Sequence, residues 1–314
     1  MEFTEELKKR TAKCNRIIKK YLPKEEEQIK TVTGAMNYCV NAGGKRLRPV
    51  IMKAAYEMCG GKGDLVEPFC AAIEMIHTYS LVHDDLPEMD DAMLRRGRPT
   101  AHAKYGAGMA VLAGDGLLNF AYETALKSMD LAQGTKNEDE KYVRIIKAAR
   151  VLADKAGIYG MVGGQALDVE AEKKNMDLDE DQVLFVYANK TAALLQASFM
   201  CGAILAGASD DVVADLATVG YDLGVAFQLQ DDILDVTGTV QETGKSVGID
   251  EKDGKKTYLS YHGLEATSKE QMRLSAEAVA LLDKIPANVD GNKDATLSKA
   301  FLEGLIRSLT KRRS

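Results

Sequence analysis

Between Thr100 and Ile285 the chain has no proline; its six prolines are Pro23, Pro49, Pro68, Pro87, Pro99 and Pro286. Proline breaks helix interiors by removing an amide donor and clashing with the preceding turn, so the gap leaves a long interval open to helix. Basic residues are also short, 41 against 47 acidic, for a net charge of −6. That balance argues against a general nucleic-acid binder, which carries a basic footprint. The five cysteines (Cys14, Cys39, Cys59, Cys70, Cys201) are odd in number and lack a C-x-x-C pair. A disulfide framework or thiolate zinc site is therefore not expected, and a reducing cytosol fits best. The N-terminus has no apolar core of a signal peptide, and no run approaches the roughly 18 apolar residues of a spanning helix. The expectation is a soluble, cytoplasmic protein without a membrane partner.

What fills the proline-free interval is Ala, Leu, Met, Lys and Glu, all good helix formers. "DQVLFVYANKTAALLQASFMCGAILAGA" and "DDVVADLATVGYDLGVAFQLQDDILDV" are too long for strands. Their apolar residues recur at three and four, as in helices buried within a bundle. Alternating strand patterns are scarce, so the fold class is all-α, with residues 1–314 forming one large domain. Asp181 and Asp210 are the expected N-caps, and the glycines at 60–63, 163–164 and 207 the expected helix ends or turns. "LAQGTKNEDE" (131–140) reads as a polar loop and 238–257 as the longest Gly- and charge-rich connection.

Two carboxylate clusters stand out. "DDLPEMDD" holds Asp84, Asp85, Asp90 and Asp91, four aspartates within eight residues. "QDDILDV" holds Asp231, Asp232 and Asp235. On a helix Asp231 and Asp235 share a face, within an otherwise apolar stretch where carboxylates are costly unless a cation neutralises them. Six residues along an unbroken helix would separate Asp84 from Asp90 by about 120°. Pro87 disrupts regular helix between them, which lets the chain bulge and return Asp90 to Asp84. Oxygen-only donors point to a hard cation, Mg²⁺ or Mn²⁺, completed by water and substrate phosphate. A solvated acidic helix end is the plainer reading of either cluster alone.

Basic residues flank both clusters. "GGKRLRP" carries Lys45, Arg46 and Arg48 behind a flexible Gly-Gly, Arg95 and Arg96 follow the first cluster, and Lys245, Lys255 and Lys256 follow the second. Each taken singly reads more simply as a solvated charge; together, flanking both acidic clusters, they suit an anion. "GTVQETGKS" is not a phosphate-binding P-loop, having five residues between its glycines where four are required and following a helix rather than a strand. His77 lies two helical turns before Asp84, about 10 Å along the same face, either as a substrate contact or as a structural histidine.

These residues resemble the trans-isoprenyl diphosphate synthases. "DDLPEMDD" and "DDILD" are similar to that family's two aspartate-rich motifs, and "GGKRLRP", "LRRGRPTAH", "GGQALD", "NKTAALL" and "GVAFQLQDD" follow its remaining motifs in order. The resemblance implies a helical bundle around a deep central cavity, usually homodimeric. It implies three Mg²⁺ ions held by Asp84, Asp90 and Asp231, with Asp85, Asp232 and Asp235 in support. An allylic diphosphate would contact Arg95, Lys190, Thr191, Gln228, Lys245 and Lys255. Isopentenyl diphosphate would be held by Lys45, Arg48, His77 and Arg96, while Gln165, Thr191 and Gln228 line the reacting centre. The implied reaction joins isopentenyl diphosphate to dimethylallyl or geranyl diphosphate by ionisation, condensation and elimination. The 238–257 loop would act as a lid and the terminal "KRRS" as a closing tail.

Product length is read from depth. Tyr79 and Ser80 lie about 6–7.5 Å before Asp84 on its helix, and a ring there would block a growing tail. The resemblance agrees, since an aromatic at this depth is typical of farnesyl (C15) enzymes. Tyr79 as ordinary core is the alternative. Geranylgeranyl (C20) and geranyl (C10) synthases, a terpene cyclase, or a non-catalytic subunit of a heteromeric synthase are the competing functions. Intact aspartates and basic groups argue against the last.

Overall fold

A computed structural model describes residues 3–238, 256–287 and 293–310. Lys245, Lys255, nearly all of the expected lid and the terminal KRRS lie outside the described residues. Apart from a hairpin of two two-residue strands, the regular structure described is helical. Contacts divide the chain into two compact units, Met1–Lys53 with Lys62–Ala149 and Ala54–Gly61 with Arg150–Ser314.

The first unit is organised on α4 (Glu67–Asp84), which follows α1 (Phe3–Tyr21), α2 (Lys30–Val40) and α3 (Leu47–Met58). Pro68 at the start of α4 costs nothing, because first-turn amides have no intrahelical partner. Phe69, Ile73, Met75 and Ile76 are fully buried, each worth about 1.5–3 kcal/mol of apolar burial. After α4 come the strands β1 (Leu94–Arg95) and β2 (Arg98–Pro99), then α5 (Ala101–Tyr105), α6 (Ala107–Leu126) and α7 (Ser128–Ala132). α6 turns Ala110, Ala113, Gly114, Leu117 and Ala121 inward against α4. At Gly114 a Cβ would stand 2.0 Å from His83 Nε2, so a side chain here would push the imidazole aside.

α8 (Glu138–Ala156) starts earlier than the polar composition suggests. Glu138, Asp139 and Glu140 form its first turn, where acidic side chains complement the helix dipole, so only half of the expected 131–140 loop is loop.

In the second unit α9 (Met161–Lys174), α10 (Glu180–Val186), a π-helical segment (Tyr187–Ala192) and α11 (Ala193–Ala206) lead into α12 (Asp210–Thr237). α12 packs on α11 and on α13 (Tyr258–Lys284), which is kinked at Gly263, and α14 (Lys293–Thr310) closes the unit. α12 does contain an 18-residue window apolar enough to cross a bilayer by composition, a correction to the sequence reading, yet 56% of that window is buried within the protein. The N-caps also differ from expectation. Asp179, not Asp181, caps α10 with Gln182 in a reciprocal capping box. Ser209, not Asp210, caps α12. Gly207 ends α11 in the left-handed conformation, as expected, whereas Gly163 and Gly164 lie inside α9.

Candidate active site

The first carboxylate group is a loop held by its own backbone. α4 ends at Asp84, and the Asp85 amide still bonds to the Leu81 carbonyl. Met89 and Asp91 amides donate to the Leu86 carbonyl, and the Asp90 amide donates to the Asp84 carbonyl at 2.9 Å. The chain thus makes the return across Pro87 that the spacing predicts, bringing the Asp90 backbone beside that of Asp84. Asp85 points elsewhere. It is buried, and its two oxygens take the Arg95 Nε at 2.8 and 2.9 Å, with Arg95 Nη2 at 2.7 Å. A forked, charge-assisted pair of this kind fixes both partners. Asp84 is half-buried and Asp90 exposed.

The basic residues sort into two kinds. Arg46, buried and in the left-handed region (φ 52), donates from Nη1 to Glu74 at 2.6 Å, from Nε to Asn15 at 2.9 Å and from Nη2 to the Val40 carbonyl at 2.6 Å. It is a structural brace. Arg95 is committed to Asp85. Among the described residues Arg48 and Arg96 have no carboxylate partner, and the Arg48 Nε is buried without any hydrogen bond. Burial lowers both guanidinium pKa values from their ordinary range, with Arg96 opposing charge on Arg48 and Arg46 and Arg95 opposing it on Arg96. Arg96 donates to the Gly43 carbonyl and lies flat on Gly44 (φ 130), where a Cβ would meet its Nη1 at 2.7 Å. The Gly-Gly therefore seats a guanidinium. His77 is held neutral, well below the usual imidazole range, first by burial and then by Arg48, Arg96, Arg46 and Arg95. Lys45 is exposed beside this cluster in sequence.

In the second unit the π segment carries the site. Widening the helix to i→i+5 bonding is a local irregularity common at functional positions. Glycines admit it on both sides. At Gly164 of α9 a Cβ would be 2.3 Å from the Lys190 amide nitrogen, and at Gly224 of α12 it would be 2.3 Å from the Ala192 Cβ. Lys190 Nζ pairs with Asp168 of α9 at 2.5 Å, a partner that sequence reasoning missed although "GGQALD" contains it. Thr191 Oγ1 donates to Gln228 at 3.2 Å, and Gln228 Nε2 to Asp232 at 3.4 Å. Asp232 is buried, whereas Asp231 and Asp235 are half-buried one helical turn apart on α12. Gln165 is half-buried on α9.

Tyr79 is buried, packed edge-to-face on His83 at 5.8 Å. Burial pushes its phenol up to about 12, with Tyr122 and Asp84 adding to the shift. Tyr122 of α6, which no motif singles out, belongs to the same environment. Ser80 Oγ turns back to the His77 carbonyl at 3.0 Å.

The donor chemistry fits a hard cation. In each motif the second aspartate, Asp85 or Asp232, is buried and hydrogen-bonded, while the outer ones reach solvent. Among the described residues no three His, Cys, Asp or Glu side chains form a closed metal cage. Mg²⁺ needs none, because it binds through one or two carboxylates plus phosphate and water.

The Polyprenyl synthetase family profile matches residues 29–289. A chloroplastic heterodimeric geranylgeranyl pyrophosphate synthase large subunit 1 from Arabidopsis thaliana is 44% identical over 245 residues, covering 78% of this chain and 64% of that protein. A farnesyl diphosphate synthase from Geobacillus stearothermophilus is 41% identical over 259 residues, covering 82% and 83%. The crystal structure of a geranyltransferase from Helicobacter pylori, complexed with magnesium and isoprenyl diphosphate, aligns with a TM-score of 0.77 at 30% identity over 98% of this chain and 99% of that one. The chain belongs to the polyprenyl synthetase family.

Proposed function

We propose that the chain is a farnesyl diphosphate synthase, condensing isopentenyl diphosphate with dimethylallyl and then geranyl diphosphate. The observation that carries the reading is the pair of carboxylate-free guanidiniums, Arg48 and Arg96, around a neutral His77. An anion there would give the buried Arg48 Nε the partner it otherwise lacks, and leaving such a donor unmade costs about 1–3 kcal/mol. Lys45, Arg48, His77 and Arg96 hold isopentenyl diphosphate. Asp84, Asp90 and Asp231 hold Mg²⁺, three ions in this reading, and residues 1–314 act as one catalytic domain.

Bound Mg²⁺ supplies the charge that stabilises a departing diphosphate. Lys190, held in place by Asp168, adds a fixed cation at the allylic diphosphate; Arg95, kept in its ion pair with Asp85, and Lys245 and Lys255 are assigned to the same diphosphate. The allylic C–O bond breaks with its electron pair leaving on diphosphate. The π electrons of isopentenyl diphosphate form the new C–C bond, and a proton departs to the released diphosphate. Thr191, Gln228 and Gln165 line this centre and orient the reactants, and water must be kept from it because it would quench the cation. Tyr79 sets the depth for a C15 tail.

A C20 product is the second reading, favoured by the identity to the geranylgeranyl relative. The exposed Val111 and Leu112 of α6 and Val143 and Ile146 of α8 support a homodimer, and five free cysteines support a reducing, cytoplasmic location. Arg96→Gln tests the assignment. It should raise the KM for isopentenyl diphosphate about tenfold or more, from loss of a charged hydrogen bond, and leave the KM for geranyl diphosphate unchanged. Equal effects on both substrates would refute it.

A further inference from the structure

Tyr187, the first residue of the π segment, is buried in a core shared with Val183, Val186, Leu229 and Leu274. A phenylalanine would fill that space, and burying a hydroxyl is costly unless it is hydrogen-bonded. This one is hydrogen-bonded. It donates to Asp232 Oδ2 at 2.5 Å and accepts the backbone N–H of Tyr258, the first residue of α13, at 3.2 Å.

An ionised carboxylate only accepts, so Asp232 dictates how a donor beside it is turned. Gln228 must present its NH₂ group to Asp232 Oδ1, at 3.4 Å, which leaves its oxygen for Thr191 Oγ1 at 3.2 Å. A continuous relay therefore runs from the start of α13 through Tyr187, Asp232 and Gln228 to Thr191, the neighbour of Lys190. The first turn of α13 has independent anchors. Tyr261 donates to the Leu178 carbonyl, His262 meets Glu180 at 2.8 Å, and the Tyr258 and His262 rings stack at 4.3 Å. Loss of the Tyr187 hydroxyl should loosen this turn without melting the helix.

We infer that Tyr187 is a positioning residue: its hydroxyl orients Asp232, and through Gln228 also Thr191, and ties that orientation to the first turn of α13. The inference rests on the proposed prenyl transfer only for its catalytic meaning, not for its geometry.

The test uses the full chain and three variants. Mg²⁺ is titrated by calorimetry in the presence of inorganic diphosphate, and backbone hydrogen exchange is followed over 257–262. Tyr187→Phe should weaken Mg²⁺ binding about tenfold, as loss of an outer-shell partner does, and speed exchange at Tyr258 about fivefold, with Tm within about 3 °C of wild type. Tyr258→Pro removes the same N–H at a helix position that tolerates proline and should reproduce the Mg²⁺ shift. Tyr258→Ala keeps the N–H and should not. Unchanged Mg²⁺ binding and exchange in Tyr187→Phe would overturn the inference, as would equal shifts in the two Tyr258 variants. If the wild type bound Mg²⁺–diphosphate but made no prenyl product, the proposed function would fail while these comparisons still decided the role of Tyr187. If it bound none, exchange at Tyr258 would decide alone.

Discussion

Replacing Glu74 with alanine tests whether the motif bearing Lys45 and Arg48 is held in place by a buried ion pair. Glu74 and Arg46 are 2% and 5% exposed, with their charged atoms 2.6 Å apart. Glu74→Ala would strand the Arg46 guanidinium in the core without its counter-charge, while Asn15 and the Val40 carbonyl hold its other nitrogens in place. Breaking one side of such a pair costs about 3–5 kcal/mol, a large part of the roughly 5–15 kcal/mol that stabilises a folded protein. At about 2–4 °C per kcal/mol for large domains, Tm should fall on the order of 10 °C. Calorimetry near neutral pH measures this, with urea unfolding as a second measure. Arg46 sits at positive φ, so losing the brace should also displace Arg48 and raise the KM for isopentenyl diphosphate. Replacing both partners, Arg46→Met with Glu74→Leu, should recover most of the stability, because an apolar pair leaves no uncompensated charge. A loss below about 1 kcal/mol in Glu74→Ala, or a double variant no more stable than the single one, would refute the reasoning.

Further outcomes follow from other sites. Tyr79→Ala should lengthen the product toward C20 and cost about 3–5 kcal/mol for the cavity left behind; an unchanged product distribution would remove Tyr79 as the floor. Gly164→Ala should lower Tm and activity together, since its Cβ would stand 2.3 Å from the Lys190 nitrogen and overpacking costs about 1–3 kcal/mol; a wild-type Tm would contradict the close crossing. Burial raises Asp222 from 3.8 to about 6, with Glu277 adding and Arg273 opposing. The folded state therefore retains a proton that the unfolded state releases across this window, and stability falls as pH rises through it. Asp222→Asn should accordingly raise Tm near neutral pH by the equivalent of about 1 kcal/mol after solvent screening, and leave it unchanged at the acid end. A gain of equal size at both pH values would argue against titration of Asp222.

The helices and the first carboxylate loop were legible because their causes are local. Proline absence and three-four apolar spacing announce long helices, and Pro87 between two acidic pairs announces a bulge. Where acids cluster, composition marks a helix start only to within one or two residues, although the Asp179-to-Gln182 spacing carries a usable capping-box signal. Gly163 and Gly164 look locally like a helix end, yet their need is tertiary: the contact that requires Gly164 is with Lys190, far along the chain. Likewise no local pattern reveals that Asp85 is engaged by Arg95, Lys190 by Asp168, or Asp232 by Tyr187. The two roles within each aspartate motif, one buried brace and the outer carboxylates reaching solvent, emerge only from packing.

The most direct test is product length. The purified protein is incubated with isopentenyl diphosphate, Mg²⁺ and, separately, dimethylallyl, geranyl and farnesyl diphosphates, and the prenyl products are identified. A C15 product from the two shorter primers, with little extension of farnesyl diphosphate, is expected. C20 from all three would contradict the farnesyl assignment and the Tyr79 floor, and no condensation with any primer would contradict prenyl transfer by this chain.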